Sequence, residues 1–304
     1  MEQPIVSVIV PTYNYARYLP RALDSLLKQN GVRPEVIVVD DGSTDNTPEL
    51  LNAYAPYVFS IRQENAGVSA ARNNGIGKAR GAFLGFLDPD DFYHPNKLTR
   101  QIALLGRHPE CGWTYCDCLF FEEISERSRL FSEQYQYNSR MALDGSGLFE
   151  SLFPSNFIAP LSLLVRRSCL EKAGFFDERF AGLEDFDLVL RLAATSLAIY
   201  SPDVLATYTW HPGGLGQNWE RMAKDKFLIL DKAASLYPER VRRFGPAAKR
   251  ALADMHNWFG YDFYRKGQLK EAWGRIKASL RTWPLQGRAW LYLAAICVRL
   301  AIAK

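Results

Sequence analysis

The first hundred residues alternate short runs of β-branched residues with segments of helical apolar spacing, and this order sets the fold class. The apolar runs cover residues 6–10, 35–39 and 82–87. Between the first two runs, leucines recur on one helix face from Leu19 to Leu27. Because a β-α-β-α-β order needs right-handed crossovers, the sequence predicts an α/β fold with a Rossmann-like, mostly parallel central sheet flanked by helices.

Acidic residues directly follow two of these predicted strands. Asp40 and Asp41 close the second run, and Asp88 and Asp90 come after the third. Ligands of such sheets bind beyond the carboxyl ends of the strands. Carboxylates in that place suit a hard divalent cation and the phosphates that it neutralises, which makes Asp88 and Asp90 candidate ligands for Mn²⁺ or Mg²⁺. Taken alone, each motif also fits a solvated acidic turn.

A third acidic motif, residues 184–187, precedes the apolar helical run 188–192. A carboxylate held there can remove a proton from a hydroxyl, so Asp185 is the candidate general base. The structural alternative is an acidic first helical turn, which the helix dipole favours.

Together the motifs carry a stronger signal than any of them alone. The ordered stretches are residues 6–14, 38–45, 65–73, 86–91 and 184–188. Their order and intervals resemble the large "family two" group of inverting glycosyltransferases with the GT-A fold. The resemblance implies a GT-A fold with a C-terminal helical extension. It also implies a non-processive member, because the chain lacks the Gln-x-x-Arg-Trp motif and the membrane spans of processive relatives.

The resemblance also implies a role for each matched residue. The donor-binding residues are expected to be Pro11, Tyr13, Asn14, Asp40, Asp41, Asn65, Arg72, Asp88 and His211. Asp41 would read the nucleobase, and Arg72 would contact the donor. Asp90, with Asp88, would hold the metal, and Asp185 would be the catalytic base. The implied reaction is one in-line displacement, with inversion, on a nucleotide diphosphate sugar that is a UDP-sugar by default.

Residues 208–214 stand where relatives carry a mobile lid over the diphosphate. Gly213 and Gly214 fit a hinge, and His211 would then touch phosphate or metal. A surface loop with a packed Trp210 is the alternative, and the sequence does not choose between the two.

Charge divides the chain into two parts. Residues 1–218 hold 19 Lys/Arg and 26 Asp/Glu, a net −7, whereas residues 219–304 hold 18 and 7, a net +11. We therefore expect a transferase domain over 1–218 and a basic helical region over 219–304. One helical pair around Gly267 resembles a single tetratricopeptide-type unit. The basic region ends in an apolar helix, which either docks on an anionic membrane or packs on its own domain. No nucleic-acid recognition motif is present, so nucleic acid is not an expected partner.

The five cysteines, an odd number without paired spacing, predict reduced thiols and a cytoplasmic protein, with the inner face of the membrane as a second location. Cys116 and Cys118 lack the second pair that zinc would need. No signal peptide or transmembrane run is indicated. The expected acceptor is a hydroxyl of a glycan or lipid-linked molecule, as in polysaccharide biosynthesis. The alternative is a non-catalytic nucleotide-sugar-binding or adaptor protein with a partner-binding tail, which would be expected to lose Asp185.

Overall fold

The structure is a computed structural model that describes residues 5–134, 147–180, 182–212 and 219–302. Contacts within the chain group it into two compact units. The first unit comprises residues 1–148 and 157–222, and the second comprises residues 149–156 and 223–304. Nothing in the sequence pattern indicates that segment 149–156 belongs with the helices.

The first unit is built on one mixed sheet, which has nine strands in the described part of the chain. The strands are β1 Val6–Thr12, β2 Glu35–Asp40, β3 Phe59–Arg62, β4 Phe83–Phe86, β5 Phe92–Tyr93, β6 Cys111–Glu122, β7 Arg127–Leu130, β8 Leu164–Arg166 and β9 Leu197–Trp210. Their order is β3-β2-β1-β4-β8-β6-β9-β5, with β7 paired to β6. The strands from β3 to β4 run parallel, and β8 joins them antiparallel. This confirms the predicted parallel sheet; the antiparallel strands beyond it were not predicted.

Helices connect these strands. Those of the first unit are α1 Leu19–Leu27, α2 Thr47–Tyr54, α3 Val68–Lys78, α4 Lys97–Arg107, α5 Phe131–Gln134, α7 Arg167–Ala173 and α8 Glu184–Thr195; α6 Leu148–Leu152 lies at the boundary between the units. All seven residues of β1 are buried, as expected for a parallel strand covered on both faces. Helix α3 lies close against β1, because a Cβ added at Gly75 would stand 2.6 Å from the Ile9 side chain.

The polar segment after β6 is more regular than the sequence suggests. The polar composition of residues 122–138 by itself favours a loop or an edge of the sheet. Strand β6 continues to Glu122, and β7 then pairs back on it between Leu119 and Glu122. The last residues of that range, 135–138, lie outside the described residues. Cys116 and Cys118 are buried in β6, and no group of three metal-binding side chains occurs in the described ranges.

The second unit is helical. Its helices are α9 Trp219–Leu236, which begins at the end of the first unit, α10 Pro238–Val241, α11 Pro246–Arg265, α12 Leu269–Thr282 and α13 Gly287–Ile302. Gly267, at φ +77°, separates α11 from α12 as the sequence indicates. Across the described helices, none is both long and apolar enough to cross a membrane.

Close approach of α11 and α12 depends on Gly260. A Cβ at this position would lie 2.5 Å from Cδ1 of the fully buried Ile276. We expect Gly260→Val to destabilise the helical unit by about 1–3 kcal/mol through overpacking. Thermal unfolding followed by circular dichroism measures this loss.

The matched control is Gly274→Val, because a Cβ at Gly274, inside α12, meets nothing within 4 Å. Valine has a slightly better helix propensity than glycine, so this variant is expected to unfold at or slightly above the wild-type temperature. Equal midpoints for the two variants would show that the helices do not depend on close contact at Gly260.

Candidate active site

The carboxyl ends of three parallel strands lie side by side in the first unit. Thr12 at the end of β1 is in register with Asp40 at the end of β2. Strand β4 pairs with the other side of β1, with Ile9 opposite Phe86. The loops that follow these strands carry the acidic motifs, so the sheet places both motifs at one edge, as predicted.

Asn14 joins the loop after β1 to the loop after β2. Its side-chain oxygen accepts hydrogen bonds from the backbone N–H groups of Thr44, at 2.7 Å, and Asp45, at 3.3 Å. Its own N–H donates to the Ser43 hydroxyl at 2.9 Å. The residue has φ +58°, a left-handed conformation that asparagine tolerates better than most residues. Asn14 therefore fixes the two loops that would form the nucleoside end of the site.

Asp41 fixes the loop before α3. One carboxylate oxygen accepts the N–H of Ala66 at 2.9 Å and the side-chain amide of Gln63 at 2.8 Å, and the other accepts the N–H of Gly67 at 2.8 Å. A carboxylate offers about four acceptor positions. Asp41 thus holds this loop and still has capacity for one further donor, such as a base N–H.

Asp40 is buried, and its carboxylate is also bound by neighbouring residues. It accepts the N–H of Ser43 at 2.8 Å and pairs with Arg62 at 3.1 Å. Pro11 is buried within β1, whereas Tyr13 and Asn65 are exposed at the rim. Pro11, Tyr13, Asp40 and Asn65 stay predicted donor contacts.

Arg72 connects two acidic motifs that are distant in the chain. Nη2 donates to Asp88 at 2.6 Å, and Nη1 donates to Glu184 at 2.5 Å. The guanidinium, only 2% exposed, lies over the Phe176 ring at 5.1 Å. Each of its two terminal nitrogens thus donates to a carboxylate, and the expected contact of Arg72 with the donor stays a prediction. Its observed contacts therefore position Asp88 and the start of α8.

Negative charge accumulates where β4 ends. Burial and the charge of Asp88 raise the pKa of Asp90 to about 6. Burial and the charges of Asp90 and Asp88 also raise the pKa of the fully buried Asp91. Asp91 accepts the N–H of Thr209 at 2.8 Å, while its second oxygen has no partner among the described residues. The cluster thus holds more carboxylate charge than its surroundings compensate.

This excess charge fits a divalent cation. The described residues hold no preformed site with three protein ligands. Mg²⁺ sites of phosphate-transfer enzymes commonly use only one or two carboxylates, and substrate phosphates complete the shell. Asp90 and Asp88, half-buried with hard oxygen donors, match that type of site.

His211 lies beside the same carboxylates. Its Nε2 is 3.1 Å from Asp90, and its ring stacks on Tyr18 with centroids 4.7 Å apart. Tyr15, Tyr18, Glu123 and His211 are among the residues that line a cavity of about 600 Å³. His211 thus contacts a candidate metal ligand, and its own contact with metal or phosphate stays a prediction. Gly213 and Gly214, the predicted hinge, lie outside the described residues.

Asp185 is placed by the same ion-pair network. It is the second residue of α8, directly after Glu184, whose carboxylate is held by Arg72 and by the N–H of Gly182 at 2.8 Å. Burial and the charge of Glu184 raise the pKa of Asp185 to about 7. A carboxylate with a pKa near neutrality has the proton affinity that a general base needs.

Three contributing residues were not identified from the sequence. Glu184 was seen only as the neighbour of Asp185, although a paired acid could have indicated a buried partner. Tyr15 and Tyr18 lie three residues apart in the turn before α1, and the rings of both contact the ring of His211. That spacing was the available signal.

Comparisons with known proteins agree with this geometry. Residues 7–158 match the model of the glycosyl transferase family 2. An uncharacterized glycosyltransferase of Rickettsia typhi is 34% identical over 207 residues, which are 66% of this chain and 63% of that protein. The chain thus spans less than two-thirds of that relative's length.

Two solved structures show the same fold. TarS residues 1–349 of S. aureus, in complex with UDP-GlcNAc, match with a TM-score of 0.60 at 19% identity, over 91% of each chain. The mannosyltransferase PcManGT of Pyrobaculum calidifontis, in complex with GDP-Man and Mn²⁺, matches with a TM-score of 0.61 at 22% identity, over 99% of this chain and 81% of that one. At these identities the likeness establishes the GT-A fold.

Without the Arg72 guanidinium, the carboxylates of Asp88 and Glu184 lose the positive charge that they share. We expect Arg72→Met to destabilise the first unit by about 3–5 kcal/mol, the cost of breaking a buried ion pair. Chemical denaturation followed by intrinsic fluorescence measures the free energy of unfolding. The control is Arg80→Met, because Arg80 makes an exposed pair with Glu35 and its loss should cost about 1 kcal/mol or less. Similar losses in both variants would contradict a structural role for the Arg72 bridge.

Proposed function

The chain belongs to the glycosyl transferase family 2, and from this premise we propose that it is an inverting, metal-dependent hexosyltransferase with Asp185 as its base. The donor is a nucleotide diphosphate sugar, with UDP as the default nucleotide. The acceptor is a hydroxyl of a glycan or a lipid-linked molecule. The observation that carries the proposal is the Arg72 bridge, which joins Asp88 of one motif to Glu184, the neighbour of Asp185 in the other.

The roles of the residues follow from their placement. The loops held by Asn14 and Asp41 would receive the nucleoside, and Asp90 and Asp88 would hold Mn²⁺ or Mg²⁺ next to the diphosphate. When bound, the cation offsets the negative charge that develops on the leaving diphosphate. The relatives in complex with UDP-GlcNAc or with GDP-Man and Mn²⁺ support a nucleotide-sugar donor and a divalent metal.

The chemical step needs one proton acceptor. Asp185 takes the proton from the acceptor hydroxyl while the hydroxyl oxygen bonds to the anomeric carbon. The bond from that carbon to the diphosphate breaks in the same step, and the diphosphate leaves with the bonding electrons. A single displacement of this kind inverts the anomeric configuration. The pKa of about 7 lets Asp185 be ionised before the reaction and protonated after it.

The location and the domain limits stay predictions. A cytoplasmic protein follows from the cysteine content, and the limits 1–218 and 219–304 follow from the charge distribution. Contact of the basic region with the inner face of a membrane belongs to the same proposal, because it would bring the enzyme to lipid-linked acceptors.

Binding of donor and metal should be coupled through Asp90. We expect a UDP- or GDP-sugar together with Mn²⁺ to raise the unfolding temperature of the wild-type protein by several degrees, whereas either alone gives a smaller shift. Asp90→Ala should lose the Mn²⁺-dependent part. A thermal-shift panel of nucleotide sugars with and without Mn²⁺ measures both effects. The control is Asp203→Ala, an exposed aspartate paired with Arg100. A full Mn²⁺-dependent shift in Asp90→Ala would exclude this residue as a metal ligand.

Turnover should depend on ionised Asp185. Asp185→Asn keeps the size of the side chain but cannot accept the proton, so release of nucleoside diphosphate should slow by about a hundred- to ten-thousandfold. In the wild type, kcat/KM should fall about tenfold for each pH unit below 7, because the protonated carboxyl is inactive as a base, and should level off above that pH.

Measuring the binding of donor and Mn²⁺ by Asp185→Asn distinguishes a loss of proton transfer from a general loss of folding or binding. Asp185→Asn should keep the thermal shift given by donor and Mn²⁺, because the substitution changes proton transfer and leaves the donor loops intact. Turnover within tenfold of wild type, or a pH profile without an inflection near 7, would remove Asp185 from the role of base.

A further inference from the structure

Among the described side chains of helix α13, those on one side are buried and those on another are exposed. Ala289 and Ile296 are fully buried in the apolar cluster shared with α12. On the other side, Trp290 is 54% exposed, Leu291 70% and Val298 59%. The helix is therefore apolar on two sides, although only one of them contributes to the core of the second unit.

The exposed apolar residues form a continuous strip, here called the outer face of α13. It consists of Trp290, Leu291, Ala294, Cys297 and Val298. Their separations of three and four residues place them on one side of the helix. Single exposed apolar residues are ordinary in soluble proteins, but a contiguous strip of this kind marks a contact surface.

Basic side chains border this strip. Arg288 and Arg299 are exposed and lie about three helical turns apart, near the two ends of α13. The Arg299 guanidinium also lies over the ring of Tyr264 in α11, 4.4 Å from its centroid. The α13 sequence contains no Asp or Glu, and residues 219–304 carry a net charge of +11. An apolar strip with a tryptophan and flanking arginines has the composition of a helix that lies in a membrane interface.

We propose that the outer face of α13 docks on the surface of an anionic lipid bilayer. Leu291, Val298 and Trp290 enter the boundary between headgroups and acyl chains, while Arg288 and Arg299 lie at the level of the lipid phosphates. Charge selects this occupant over a second copy of the chain, because two regions of net +11 repel each other and an anionic surface attracts both. This inference deepens the membrane contact that is part of the proposed function, and vesicle binding tests it without measuring transferase activity.

Vesicle binding by the full chain tests the proposal. We expect co-sedimentation with vesicles of phosphatidylcholine and phosphatidylglycerol, little with phosphatidylcholine alone, and weaker binding at high salt. Leu291→Glu should lower the affinity about tenfold or more, since it removes a leucine that the bilayer would bury. Arg288→Gln should lower the affinity about fivefold, the effect of one basic group at an anionic surface.

The matched control is Leu236→Glu. Leu236 is the last residue of α9 and is 53% exposed. Its replacement by glutamate makes the same change of size and charge at a position outside the outer face. This variant is expected to bind vesicles nearly as well as wild type. Unchanged thermal unfolding in Leu291→Glu and Leu236→Glu shows that both remain folded.

A second readout uses a native side chain of the outer face. Cys297 is the exposed one of the five cysteines, so an environment-sensitive fluorophore can be attached there. The emission should shift to the blue with anionic vesicles and stay unchanged with neutral ones. Equal binding of wild type and Leu291→Glu, or absence of the blue shift, overturns the proposal. Concentration-dependent dimerisation that Leu291→Glu abolishes, without vesicle binding, overturns it in favour of self-association.

Discussion

A single buried guanidinium sets the geometry of the candidate site. Arg72 has no access to water and must satisfy its charge inside the protein, which it does with Asp88 and Glu184. Since Asp88 follows β4 and Glu184 begins α8, the ion pairs fix two distant chain segments at one place. Helix α3 carries Arg72, and Asp41 holds the loop in front of α3. Hydrogen bonds through Arg72 thus join two of the acidic motifs, and the third motif is connected to them through the loop and helix that carry Arg72.

The sequence predicts the parts of this arrangement that depend on local pattern. The β-branched run after Glu35 forms strand β2, which ends at Asp40 as expected. The acidic motifs occur at the carboxyl ends of strands, where parallel sheets bind ligands. The role of Arg72 was predicted only in part. Its place in a motif indicated importance, but burial and pairing with Glu184 arise from tertiary packing, which a motif does not contain. Strand β7 was missed because its residues Arg127–Leu130 are mostly polar and exposed, which hides an edge strand from an apolar pattern.

The two units have different physical characters. The first concentrates carboxylates, whose mutual repulsion favours a cation. Burial, and after it this repulsion, raises the pKa of Asp90 to about 6 and that of Asp185 to about 7. The second is basic and leaves one apolar side of α13 exposed. The proposed division, with chemistry in one unit and attachment to a membrane surface in the other, would account for the uneven charge of the chain. Segment 149–156 joins the second unit despite lying within the first in sequence, which no charge pattern revealed.

The central claim is that the carboxylates after β4 and at the start of α8 surround one donor and one cation. Crystals grown with Mn²⁺ and UDP, measured at a wavelength where manganese scatters anomalously, test it most directly. We expect one strong anomalous peak in contact with Asp90, with the nucleoside in the loops held by Asn14 and Asp41 and with Asp185 facing the end of the diphosphate. A peak elsewhere, with the nucleotide remote from Asp90 and Asp185, would contradict the account.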